Sequence, residues 1–359
     1  MSRFLSEKYA SLEPYVPGEQ PLDKTYVKLN TNESPYAVSP AVQARAAELL
    51  RDVRLYPDPT YSALRISLGK HFDVDPDCIM AGNGSDEILD LAFAAFCDDG
   101  CPAVFADITY GFYPVFADMN CVPSKIIPLC DDFSLDTDAF CSIEGRATLV
   151  IANPNAPTGI ALSPECIERI LQANLRNVVI VDEAYVDFGA ESCVPLVQKY
   201  DNLLVVQTFS KSRSMAGCRL GYAIAQEGLI NDLNTLRNSR NPYNVSSLSV
   251  AHGIAALEND DEFQRNCERI CETRRETCIA LNGMGFQIIP SKANFVFARH
   301  PEISGGELYT ELRKRGVLVR HFTKERITDF NRISIGSAEE MRVLVQTTAD
   351  ILAERGIGA

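Results

Sequence analysis

Residues 178–185 read Val-Val-Ile-Val-Asp-Glu-Ala-Tyr, and residues 203–211 read Leu-Leu-Val-Val-Gln-Thr-Phe-Ser-Lys. Each begins with an unbroken apolar run rich in β-branched side chains and ends abruptly in charged or hydroxyl-bearing residues. A strand with one wet face alternates apolar and polar positions. An unbroken run instead suits a strand covered on both faces, as in a parallel sheet between two helix layers. Ala103–Phe105 and Leu149–Ala152 have the same character. Helical patterns lie between the runs, among them Ser85–Cys97 with Asp86 and Glu87 in its first turn. The stretch from about 85 to 225 therefore reads as α/β, a mostly parallel sheet flanked by helices. Ligands of such sheets bind beyond the carboxyl ends of the strands. The polar motifs of this region follow the runs or lead into helices, so a single site is expected there.

The 359 residues suit two domains at roughly 100–200 residues each. After Pro242 the pattern becomes α+β. Helical periodicity runs near 252–284, followed by strand candidates Phe286–Ile289, Asn294–Ala298, Val317–Arg320 and Arg332–Ile335, then a helix from about Ala338. The first 45 or so residues are extended and proline-punctuated, and are expected to lie across another surface. The expected division is an N-terminal arm with part of a small domain (1–48), a large ligand-binding domain (49–250) and a small C-terminal domain (251–359).

A 46% hydrophobic composition excludes a disordered chain. Lys and Arg total 34 against 48 Asp and Glu, a net charge of −14. Nucleic acid and anionic membranes both call for clustered cations, so neither is an expected partner. No apolar run approaches the roughly 18 residues of a membrane span, and the opening Met-Ser-Arg-Phe-Leu-Ser lacks a signal core, which points to the cytoplasm. Twelve cysteines scattered through apolar segments read as reduced core thiols. The pairs Cys97/Cys101 and Cys267/Cys271 are spaced to share a helix face. There is no Cys-x-x-Cys, and the four histidines are far apart in sequence, so no metal site is expected.

Four motifs carry chemistry. Gly82-Asn83-Gly84-Ser85-Asp86-Glu87 leads into a helix whose free N–H groups suit a phosphate, although a Gly-rich loop with Ser85 as N-cap would look the same. Asn153-Pro154-Asn155-Ala156-Pro157-Thr158-Gly159 is a rigid loop after a strand. Asp182, at a strand end, is a partly desolvated carboxylate in need of a positive partner or hydrogen-bond donors. Lys211 follows Thr208 and Ser210 and precedes Arg219; a lysine held out of water there is biased toward its nucleophilic form. Together they match the demands of pyridoxal 5′-phosphate: an amine for its aldehyde, a carboxylate for its ring nitrogen, a donor for its phenolic oxygen and a phosphate cup. Lys211, Asp182, Tyr185 and the group Ser85–Asp86, Thr208, Ser210 and Arg219 are the candidates in turn.

The ordered set NPNAPTG (153–159), VDEAY (181–185), TFSKS (208–212) and AGCRLGY (216–222) resembles the aspartate-aminotransferase-like, fold-type-I pyridoxal-phosphate enzymes. LNTNESPY (29–36), LYPDP (55–59), GNGSDE (82–87) and RISIG (332–336) narrow the resemblance to the histidinol-phosphate aminotransferases. It implies a large domain built on a seven-stranded sheet and a smaller α+β domain. It makes Lys211 the cofactor's lysine and the proton-transfer base, Asp182 the ring-nitrogen partner and Tyr185 the phenolic-oxygen donor. Tyr110 would stack on the ring, the backbone of Ser85 and Asp86 would bind the phosphate, and Ser210 and Arg219 would complete the cup. Tyr56 would reach the cofactor of a second subunit in a homodimer. Tyr15, Asn30, Arg320 and Arg332 would face the substrate, with Arg332 binding its anionic group. The family's usual asparagine before Pro-Thr-Gly is Ala156 here, so its contact falls to Asn155 or Tyr185. The implied reaction joins L-histidinol phosphate and 2-oxoglutarate. Its rivals are an aromatic or broad-specificity aminotransferase, a phospho-amino-acid decarboxylase and a non-catalytic sensor.

Overall fold

The computed structural model describes residues 3–10, 12–50 and 52–357. Met1 and Ser2 of the opening segment, and the outer bounds 1 and 359 of the expected division, lie outside the described residues. A seven-stranded sheet runs in the order Ile79–Gly82, Gly221–Ala225, Leu203–Thr208, Val178–Asp182, Thr148–Ala152, Ala103–Ala106, Ser124–Ile127. Gly221–Ala225 is antiparallel to both neighbours, and every other pair is parallel. This is the α/β class that the apolar runs implied. Successive side chains explain why the runs are unbroken. Val179, Val181, Leu203 and Val205 enter one core, while Ile180, Leu204 and Val206 enter the core on the opposite face. Register places Asp182 beside Ala152 on one side and Val206 on the other, so the polar strand ends line up along one edge.

A second sheet is antiparallel, in the order Arg320–His321, Asn331–Ser334, Phe295–Arg299, Gln287–Ile289. The helix Ala338–Glu354 begins at a Ser337–Glu340 capping box, which satisfies N–H groups at its start from both directions. The proline-rich arm does lie across another surface. Val27–Lys28 pairs in parallel with Val317–Leu318, the Ser334 N–H donates to the Leu29 carbonyl, and Leu29 is buried in this second core.

Some boundaries differ from expectation. The periodicity near 252–284 is two helices, Ser247–Glu258 and Asp260–Gly283. Asn259 leaves helical geometry between them, its amide donating back to the Ala255 carbonyl, and Asp260, Asp261 and Glu262 form an acidic first turn for the second helix. Val317–Arg320 splits at Val319 into two short strands that join different sheets. Cys97 caps the end of the Ser85–Phe96 helix and Cys101 pairs with Asp98 in a bridge, so these two cysteines share no helix face. All twelve cysteines are free; Cys121 and Cys130 are exposed rather than buried. Among the described residues, no helix is long and apolar enough to cross a membrane.

Candidate active site

At the carboxyl edge of the large sheet is a cavity of about 370 Å³, within the range of small-ligand sites. Its lining includes Ser85, Asp86, Tyr110, Ala156, Asp182, Tyr185, Thr208, Ser210, Lys211 and Arg219. Strand ends supply Asp182 and Thr208, and a helix start supplies Ser85. The N-cap of that helix is Gly84 rather than Ser85, and no side chain caps the first turn. Its N–H groups are therefore free to receive an anion. Gly84 has a φ of 79°, and a Cβ there would lie 2.6 Å from Arg219 Nη2. Across the sheet edge, a Cβ on Gly221 would lie 2.5 Å from the Gly84 carbonyl carbon. Two glycines thus let the turn, the arginine and a strand close on one another.

Arg219 Nη2 is 3.3 Å from Asp86 Oδ2, and the Tyr110 hydroxyl donates to Asp86 Oδ1 at 2.8 Å. Asp86 therefore aims two other groups at the cavity. Thr208 donates to Ser210 Oγ at 2.8 Å and accepts the Ser210 N–H at 3.1 Å, which folds the strand end into a hydroxyl-bearing turn. Lys211 Nζ donates to the Thr31 carbonyl at 3.1 Å and lies 5.8 Å from the centre of the Tyr185 ring.

Asp182 is buried, accepting from Tyr113 Oη at 2.8 Å and from the Ala184 N–H at 3.2 Å. Burial outweighs these donors and pushes its pKa up to about 6. The same burial drives the Tyr113 hydroxyl well above its ordinary value, so Tyr113 stays a donor.

A second cavity of about 520 Å³ shares Tyr110 and Ala156 with the first and adds Tyr15, Arg320 and Arg332. Arg320 donates to the carbonyls of Val16 and Pro17, and Arg332 to that of Asn30. Neither has a carboxylate partner among the described residues, and Arg332 Nε is buried with no hydrogen-bond partner among them. Desolvation lowers the Arg332 pKa, a penalty that an incoming anion would relieve. Tyr15 stacks on Phe112 with ring centres 4.2 Å apart.

The family model for aminotransferase class I and II matches residues 24–347. The chain belongs to this aminotransferase family. It is 49% identical to a histidinol-phosphate aminotransferase of Marinomonas over 96% of this chain and 98% of that one. It is 45% identical to the Clostridium botulinum protein of the same name over 98% and 99%. Among solved structures, it superposes on a histidinol-phosphate aminotransferase from Sinorhizobium meliloti, in complex with pyridoxal-5′-phosphate, with a TM-score of 0.90. That likeness covers 99% of both chains at 23% identity and bears on the fold. An L-threonine-O-3-phosphate decarboxylase from Porphyromonas gingivalis superposes with a TM-score of 0.79 at 20% identity over 91% of this chain and 99% of that one.

The aminotransferase's expected residues do not all converge. Asn155 is turned away: its amide donates to Ile108 O and Thr158 Oγ1, each at 3.0 Å, and accepts from Thr109 Oγ1 at 2.9 Å. Ala156 faces the cavity in its place. Asn155→Ala is accordingly expected to cost about 1–3 kcal/mol of stability and leave the spectrum of bound cofactor unchanged. Denaturant midpoints and an absorbance titration check both parts. Asn30 is buried, its amide donating to the Glu19 carbonyl at 2.8 Å, so it reaches the second cavity through its own carbonyl on Arg332. Tyr56 is 80% exposed, stacked on Tyr243 at 4.5 Å, and outside both cavities. Two further residues, Tyr113 and Asn32, contact Asp182 and Tyr185 directly. Tyr113 lies in the same DITYGFY stretch as Tyr110, and Asn32 in LNTNESPY.

Proposed function

We propose that the two cavities form one transamination site, the first for pyridoxal 5′-phosphate and the second for the substrate's anionic end. The observation that carries this reading is the joining of Lys211, Asp182 and an open anion cup in one cavity to two uncompensated arginines in the next. The donor set fits the cofactor. The uncapped turn at Ser85, with Ser210 and Arg219, would hold its phosphate, Asp182 its ring nitrogen, Tyr110 its face and Tyr185 its phenolic oxygen. When bound, it supplies an electron sink for the carbon that gives up a proton. Lys211 would be the amine that holds the aldehyde and, once free, the base that moves the proton at the substrate's α-carbon. Asp182, as an anion, would keep the ring nitrogen charged.

The substrates are L-histidinol phosphate with 2-oxoglutarate, yielding imidazole-acetol phosphate and L-glutamate in histidine biosynthesis. Arg320 and Arg332 can meet a phosphate monoester and a dicarboxylate in turn, because guanidinium groups pair with either anion. We further propose a homodimer in which the exposed Tyr56 enters the partner's site, in a cytoplasmic setting that suits twelve free thiols. Incubation with imidazole-acetol phosphate and glutamate should form 2-oxoglutarate. No turnover there, with turnover of an aromatic amino acid, would overturn the substrate assignment.

A further inference from the structure

Asn32 is buried in a turn of the N-terminal arm, with a φ of 56°. That left-handed conformation is unfavourable for most side chains, and four hydrogen bonds hold it. The Asn32 N–H donates to Ser334 Oγ at 2.8 Å, and its carbonyl accepts from Asn294 Nδ2 at 3.0 Å. Its side-chain oxygen accepts from Ser334 Oγ at 2.8 Å, and its Nδ2 donates to Tyr185 Oη at 3.0 Å.

Ser334 settles the direction of the last bond. Its Oγ accepts the Asn32 N–H, and among the described residues the one acceptor within its reach is the Asn32 side chain, so its proton is satisfied only with Oδ1 on that side, which turns the amide NH₂ toward Tyr185. Tyr185 Oη is then an acceptor on that side, and its own proton is left for the cavity that Tyr185 lines. The neighbouring Thr31 carbonyl accepts from Lys211, so one short turn bears on both the tyrosine and the lysine. Ala156 offers no hydrogen bond at this wall, and Asn155 is committed elsewhere.

On the functional reading above, we propose that Asn32 is a positioning residue that makes the Tyr185 hydroxyl donate to the cofactor's phenolic oxygen, doing the work of the amide that position 156 lacks. Asn32→Asp tests it with little change of shape. An aspartate accepts from both Ser334 and Tyr185, so the tyrosine's proton is drawn away from the cavity. Loss of a donor to an anionic oxygen favours the protonated form. The pH midpoint of the visible absorbance of bound pyridoxal 5′-phosphate should therefore rise by about one pH unit. In a Tyr185→Phe background, the same substitution should move the midpoint by less than about 0.3. Ser334→Ala, which keeps Asn32 but frees its amide to turn over, should move it the same way by less. Equal shifts with and without Tyr185, or no shift in either variant, overturn the proposal. If the wild type binds no chromophore, the functional reading falls with it; if the wild type binds and the variants are silent, only the role of Asn32 falls.

Discussion

A Lys211→Ala protein is expected to fold normally and to transaminate at least about four orders of magnitude more slowly than wild type. Lys211 is the one lysine in the cavity lining, and the role proposed for it has two parts, a bond to the aldehyde and a moving proton. Proton transfer by a positioned side chain alone contributes about 10²–10⁴. Removing the nucleophile adds to that loss. The structural cost is small, since the side chain makes one hydrogen bond, to the Thr31 carbonyl. Ser85, Ser210, Arg219 and Tyr110 remain in place, so the phosphate cup and ring contact survive and the cofactor should still bind without a covalent link. Borohydride reduction and tryptic digestion separate the cases. Wild-type protein should carry a pyridoxyl label on the peptide containing Lys211, and the variant none. Lys211→Arg should not rescue, because a guanidinium stays protonated and is no nucleophile. A label on another lysine of the wild type would overturn the assignment.

What the sequence made legible follows from where side chains go. Val178–Asp182 and Leu203–Thr208 announce themselves because both faces are buried and nothing polar interrupts them. Ser124–Ile127 does not, since it is an edge strand with three exposed positions. Gly221–Ala225 reads Gly-Tyr-Ala-Ile-Ala, too poor in β-branched residues to stand out, although it is buried throughout. The residues that line the first cavity were legible as motifs placed at strand ends and a helix start. The residues behind them were not. Tyr113 meets Asp182 across 69 positions and Asn32 meets Tyr185 across 153, and no local pattern encodes such pairings. The loop 153–159 shows the same limit at short range. Composition marks it as polar and rigid, but only the hydrogen bonds to Ile108 and Thr109 show that Asn155 turns outward and Ala156 inward.

Asp182→Asn should lower turnover by about two to three orders of magnitude while making the cofactor-free protein more stable at alkaline pH. Both effects come from one buried charge. In the folded, cofactor-free chain the carboxyl has a pKa near 6, against an ordinary value of 3.8. The folded state thus holds the proton more tightly than the unfolded state. The stability this confers is complete below 3.8 and is lost as pH rises through about 6, a change of about 3 kcal/mol. Asparagine has no proton to lose, so the variant's cofactor-free stability should exceed wild type at pH 8, with the gain shrinking toward pH 5. Glu183, whose pKa is pushed up to about 7 by burial, titrates in both proteins and cancels in the comparison. The cofactor reverses the balance. A charged ring nitrogen placed beside an ionised Asp182, as proposed, would offset the desolvation that disfavours the anion, so wild-type affinity should strengthen as pH rises through about 6. The cofactor's phosphate also titrates at about 6 in both proteins, so the contribution of Asp182 is read as the difference between them, which should widen as pH rises through about 6. Chemical denaturation without cofactor, and cofactor titration from pH 5 to 8, measure the two arms separately. Equal pH dependence of stability in both proteins would mean that Asp182 is not the group that titrates. A variant retaining wild-type turnover would remove it from the ring nitrogen.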